Sequence, residues 1–118
     1  MRTIIAGSRG ITNYSQVEDI LLKTNIKIST IISGGAKGVD CLGEKFAKEH
    51  NIPLEVYKAD WNKFGKSAGV IRNKIMAENA DALIAIWDGT SKGTQNMINT
   101  ARNKKLQVEV YGVSSSHM

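Results

Sequence analysis

Three short apolar runs in this chain each empty into a glycine-rich turn, and that repetition limits the fold more than any other feature. Thr3-Ile4-Ile5-Ala6 leads into Gly7-Ser8-Arg9-Gly10, Thr30-Ile31-Ile32-Ser33 into Gly34-Gly35-Ala36-Lys37-Gly38, and Leu83-Ile84-Ala85-Ile86-Trp87 into Asp88-Gly89-Thr90-Ser91-Lys92-Gly93-Thr94. A strand that ends in a glycine turn and opens a helix turns backbone N–H groups toward an anion. One such turn is a fold connection. Three, each carrying Arg or Lys, point to a site for a phosphorylated small molecule, with amides from the three loops converging on one anion.

The rest of the pattern supplies the frame. Strands are expected at about residues 2–6, 29–33, 54–57, 82–87 and 107–112. Between them, helices are expected over Ser15–Lys23 with Val17, Ile20, Leu21 and Leu22 inward, and from Val39 or Asp40 with Leu42, Phe46 and Ala47 inward. Two more follow, Gly69–Asn79 with Val70, Ile71, Ile75 and Met76 inward, and about 94–104 with Met97, Ile98 and Ala101 inward. Strict alternation of strands and helices argues for right-handed βαβ units. Continuous apolar strands argue that both faces of the sheet are covered. The expected fold is α/β: a Rossmann-like three-layer αβα sandwich on a parallel five-stranded sheet of order 3-2-1-4-5. That order reverses the chain's direction between strands 1 and 4, and ligands bind at the C-terminal edge of such a switch point. One domain over 1–112 is expected, with 113–118 a disordered or tag-derived tail.

Composition excludes several classes. No apolar stretch nears the ~20 residues of a membrane span. Strand 1 begins at once, so no signal peptide is expected. The single Cys41 allows no internal disulfide and no cysteine-based metal site, which fits a cytoplasmic setting. No cofactor or metal is required by the pattern; Mg²⁺ would arrive with a phosphorylated ligand. A formal charge of +5 favours anionic partners without choosing among them. The one dense basic cluster, Arg102, Lys104 and Lys105, lies near a helix C-terminus, where cations are favoured anyway.

Within the first turn, Arg9 reads as a phosphate or ribose contact or as a surface ion pair, beside Gly7 and Ser8. The G-x-G-x-x-G spacing of a dinucleotide site and the G-K-[ST] ending of a P-loop are both missing. In the second turn, Gly34, Gly35, Ala36 and Gly38 permit close backbone approach, and Lys37 stands near a phosphate as a mobile charge. Asp40 is either a first-turn acid or a hydrogen-bond partner for a sugar hydroxyl. Arg72 is placed to fork onto a phosphate, the alternative being a salt bridge to Glu78 or Asp88, and Asn73 beside it suits a ribose. In the third turn, Asp88, Gly89, Ser91, Gly93 and Thr94 form a second cradle, with Thr94 able to cap the last helix. The longest segment expected to be irregular, Lys58 to Ala68, carries Trp61 and Phe64. It is a lid or base-stacking loop, with Trp61 the stacking residue, or else a plug over core or a dimer contact.

Taken together, Ala6-Gly7-Ser8-Arg9, Ser33 through Asp40, Ala59-Asp60-Trp61 with Gly65-Lys66, Ile71-Arg72-Asn73 through Met76, and Ala82 through Gly93-Thr94 resemble the SLOG superfamily, and within it the small YspA-like branch. The resemblance spans about residues 2–112. It implies a Rossmann-like domain that binds nucleotides or nucleotide-derived ligands, in a superfamily with phosphoribohydrolases, a DNA-processing protein and ligand sensors, usually as homodimers. The hydrolase members carry Gly-Gly-x-Gly-Thr-x-x-Glu after the fourth strand and an Arg-Lys pair in the preceding helix. Here Met97 stands at the glutamate position and Asn73 at the lysine. Cleaving an N-glycosidic bond needs a carboxylate, which leaves Asp88 and Asp40, or Asp60, as substitutes. The expected function is therefore binding of a nucleotide or ADP-ribose-like ligand, as a sensor or sequestering module. The alternatives are an N-glycosidic hydrolase with a relocated carboxylate, and single-stranded nucleic-acid binding.

Overall fold

The computed structural model describes residues 1–114. Five strands, β1 (Arg2–Gly7), β2 (Thr30–Ser33), β3 (Leu54–Val56), β4 (Ala82–Trp87) and β5 (Gln107–Gly112), form one sheet of order β3-β2-β1-β4-β5. Every neighbouring pair is parallel. The helices are α1 (Tyr14–Lys23), α2 (Val39–Glu49), α3 (Trp61–Phe64), α4 (Ala68–Glu78) and α5 (Lys92–Asn103). The expected fold and strand order are thus present.

Side-chain alternation builds two cores from the same strands. Ile5, Ile31, Ile84 and Ile86 face Val17, Leu21, Val39, Phe46 and Ala47 of α1 and α2. Their neighbours Ile4, Ile32, Leu83 and Ala85 face Met76, Ala77, Met97, Ile98 and Ala101 of α4 and α5. Adjacent isoleucines therefore serve opposite layers, which is why these strands read as unbroken apolar runs.

Three local expectations are corrected. Leu22 is 62% exposed rather than inward, because the inward stripe of α1 runs through Val17 and Leu21, with Ile20 at its margin. In α4, Val70 and Ile75 are exposed, and the buried stripe is Ala68, Asn73, Met76 and Ala77. Apolar residues surround α4 on several sides, so its sequence does not mark the inner face. The connection 58–68 is not irregular: Asp60 accepts from Lys63 N at 3.1 Å and starts α3, and a 3₁₀ turn over Gly65–Ser67 joins α3 to α4.

At the chain's end, Val113 N donates to Trp87 O at 2.9 Å, and Val113 packs on the α1–α2 core. The rest of the expected tail, 115–118, lies outside the described residues.

Candidate functional site: a cationic cleft at the switch point

The three glycine turns meet at the C-terminal edge of β1, β2 and β4, and what they meet is one another. Ser8 is the staple. Its N–H donates to Ile86 O at 3.1 Å, its carbonyl accepts from Ile11 and Val39, and its hydroxyl accepts from Asp88 N at 3.0 Å. A Cβ on Gly7 would collide with the Ile86 carbonyl and come within 2.7 Å of Val39. Gly38 has φ of 77°, and a Cβ there would strike the Ser8 carbonyl and lie 2.6 Å from the Arg9 Cα. Gly7 lets the first turn close on β4 and α2, and Gly38 lets the second turn rest on the first.

Several of the turn amides expected to face an anion have partners within the protein. Gly35 N donates to the Ser33 hydroxyl at 3.1 Å, and Ala36 N donates to Asp40 Oδ2 at 3.3 Å. Thr90 N and Ser91 N donate to Asp88 Oδ1, and Thr94 N donates to the Ser91 hydroxyl at 3.3 Å. Ser91, not Thr94, is therefore the cap of α5. Several of the turn N–H groups are thus engaged inside the protein.

A cleft of about 320 Å³ lies between β1, α4 and the start of α5. Of the residues expected at the site, it brings together Gly7, Arg9, Ala36, Asp40, Trp61, Arg72, Asn73, Ser91, Gly93 and Thr94. It leaves out Ser8, which is buried as the staple, and Gly34, which lies beneath Arg72. Gly35, Lys37 and Gly38 also fall outside the lining, with Lys37 exposed. Asp88 and Gly89 border a separate shallow depression with Trp87 and Gly112. The Asp88 carboxylate there shapes its own turn through Thr90 and Ser91. Trp87 is likewise structural at its polar end, donating to Ser91 O at 3.2 Å.

The cleft adds residues that motif reading passed over, chiefly Lys66, Lys92 and Asn96. Lys66 and Lys92 sat within segments already of interest. Asn96 carries no sequence signal, being an ordinary helical asparagine until α4 packs on α5. Arg9, Lys66, Arg72 and Lys92 line the cleft, and Asp40 is its single acid among the described residues. Trp61, Val70, Met76 and Met97 give it an apolar flank.

Arg72 is held, not paired. Its Nη1 donates to Gly34 O at 2.6 Å and its Nε donates to Asn73 Oδ1 at 3.0 Å. A Cβ on Gly34 would sit 2.7 Å from Arg72 Nη1 and 2.9 Å from Asp40 Oδ2, so a larger residue would displace the ends of both side chains. The Glu78 reading of Arg72 fails, because Glu78 pairs with Lys104 at 3.5 Å. Burial pushes the Arg72 guanidinium below its usual pKa, Asp40 opposes this, and Arg9 adds to it. Asp40 is 5% exposed, and burial raises its carboxyl to about 6 against the pull of the Ala36 amide and Arg72.

A family model described as YspA, cpYpsA-related SLOG family matches residues 1–64, more than half of the 118-residue chain. The chain belongs to that family. The matched part holds the first two glycine turns and Trp61; Arg72, Asn73 and α5 lie beyond it. The SLOG chain is also 31% identical over 120 residues to Gene 61 protein of Mycobacterium phage D29, covering 94% of this chain and 96% of that protein. In fold it is similar to DNA processing protein A (DprA) from Streptococcus pneumoniae, with a TM-score of 0.77 at 17% identity. That likeness covers 96% of this SLOG chain but 50% of the DprA chain, so this chain spans half of that protein's length.

Proposed function

We propose that this SLOG domain binds a nucleotide or nucleotide-derived phosphorylated ligand in the cleft and acts as a sensor or sequestering module. The observation that carries this reading is the charge of the cleft: four cationic side chains against one buried acid, at the switch point of a parallel sheet. Arg72 adds direction, because its remaining guanidinium hydrogens are free to fork onto a phosphate. Trp61, 56% exposed beside the cationic group, offers a face for a base, and Asp40 an acceptor for a sugar hydroxyl. The cleft volume is at the small end of ligand sites, about 300–1,000 Å³, which favours a mononucleotide over a dinucleotide. Among the described residues no group of three His, Cys, Asp or Glu side chains is placed to hold a metal ion. In this reading any Mg²⁺ is held by the ligand's own phosphates.

A hydrolase reading keeps one supporting observation. Asp40 lies in the cleft with a carboxyl raised to about 6, which suits proton exchange near neutral pH. It stands alone, since Asp88 is turned into its own loop, Asp60 caps α3, and Met97 occupies the glutamate position.

Mass spectrometry of small molecules that copurify with the protein identifies the class, and calorimetry with a panel of nucleotides measures the affinity. Arg72→Ala is expected to weaken binding by roughly 1.5–3 kcal/mol, the scale of a hydrogen bond to a charged group. Lys37→Ala, outside the cleft, is expected to leave it unchanged. Equal affinity in the Arg72 variant overturns the proposal, and recovery of a cleaved glycosidic bond favours the hydrolase.

A further inference from the structure

The hydrogen bonds around Asn73 fix the polarity of a neighbour. Arg72 Nε can only donate, so the Asn73 atom 3.0 Å from it is the amide oxygen. The other end of the same amide faces Gly93 O at 3.5 Å, which can only accept, so that end is the nitrogen. These two constraints agree without any choice of amide flip. Asn73 Nδ2 also donates to Asn96 Oδ1 at 2.9 Å. Asn96 must therefore turn its oxygen inward, and its NH₂ is the group left for the cleft that it lines.

Asn73 is 4% exposed, so the relay is screened from water and its sense is not easily reversed. A chain running Arg72 → Asn73 → Asn96 ends with donors at both extremities. One end is the guanidinium, with Nη2 uncommitted; the other is the Asn96 amide. Along the chain each asparagine oxygen already accepts from a donor.

We propose that Arg72 and Asn96, held in fixed sense by the buried Asn73, form a donor-only subsite for the phosphate of a nucleoside monophosphate. This rests on the proposed ligand class and deepens it. Asn96 is a binding residue in this assignment. Asn73 is a positioning residue that acts through the other two.

The test is calorimetric titration with the four ribonucleoside 5′-monophosphates and, in parallel, the matching nucleosides, which differ only by the phosphate. For the monophosphate bound best, Asn96→Ala is expected to cost roughly tenfold, the scale of one charged hydrogen bond. Asn96→Asp, isosteric but acceptor-only, is expected to cost roughly 100-fold because it opposes a phosphate with a carboxylate. Nucleoside binding is expected to stay within twofold in both. Asn73→Ala is expected to match Asn96→Ala, with less than twofold further loss when the two are combined. The Asn96 variants keep the test valid if Asn73→Ala does not fold. Parallel losses for nucleoside and monophosphate, or equal affinities in Asn96→Asp and Asn96→Ala, overturn the proposal alone, provided Arg72→Ala still weakens binding. No binding of any monophosphate by the unaltered protein overturns both this proposal and the reading it rests on.

Discussion

Asp40→Asn is expected to stabilise the unliganded protein at neutral pH and to lose most of that gain in acid. The carboxyl is 5% exposed in the first turn of α2. Burial is the largest influence on it and raises its pKa from 3.8 to about 6. The Ala36 and Gly34 amides and Arg72 pull the other way, while Glu44 adds to the rise. A group whose folded pKa lies above its unfolded one binds more protons in the native state between the two values. Stability then falls as pH rises through that window, and the whole cost is present above the folded pKa. Two units correspond to about 3 kcal/mol at 1.36 kcal/mol per unit.

Asparagine has the same shape, stays neutral, and keeps an oxygen for the Ala36 amide, 3.3 Å away. The informative quantity is the change with pH of the stability gap between variant and parent, because any pH-independent repacking cancels. Urea unfolding followed by tryptophan fluorescence at pH 4 and pH 7.5 measures it. The gap is expected to grow in the variant's favour by about 2.4 kcal/mol across that interval, because at pH 4 the unfolded carboxyl is already partly ionised. A gap that is the same at both pH values refutes the argument. It would mean that the carboxylate is solvated or fully compensated by Arg72, and that no strained acid sits in the cleft.

Other substitutions separate scaffold from site. Gly38→Ala forces an L-residue to φ of 77° and drives a methyl into the Ser8 carbonyl. It is expected to cost roughly 1–3 kcal/mol in urea unfolding. Ser8→Ala removes the acceptor for Asp88 N, and is expected to cost about 1–3 kcal/mol, read by the same assay. Trp61→Ala, at an exposed position, is expected to leave stability within about 0.5 kcal/mol. It is expected to weaken nucleotide binding by roughly 1–3 kcal/mol, the scale of base stacking, with titration calorimetry as the readout.

The layers of this fold were legible because both faces of the central strands are apolar. Ile4-Ile5, Ile31-Ile32 and Leu83 through Ile86 leave no polar side for solvent, and only a sheet covered twice accommodates that. The helix α4 was less legible. Val70, Ile71, Ile75 and Met76 spread round it, and its inner stripe includes the polar Asn73, whose partners lie on α5. Arg72 was readable as a cation near the ligand edge. Asn96 was not, since its place in the cleft depends on a contact between two helices separated by a whole strand.

The glycine turns show where motif reading parts from physics. A glycine is selected wherever something comes too close for a Cβ, and the sequence does not say whether that neighbour is a phosphate or another loop. At Gly7 it is the β4 backbone and the Val39 side chain, at Gly38 it is the Ser8–Arg9 turn, and at Gly34 it is the Arg72 guanidinium. Close packing of the turns engages many of their own amides, through Ser8, Asp40, Asp88 and Ser91. What the turns accomplish is to bring α4 and α5 to the rim with Arg72 and Asn96 locked together through Asn73. In the proposed reading, anion recognition is a property of side chains whose directions are set by hydrogen bonds. A variant that keeps every glycine but reverses one amide is expected to lose the phosphate while keeping the fold.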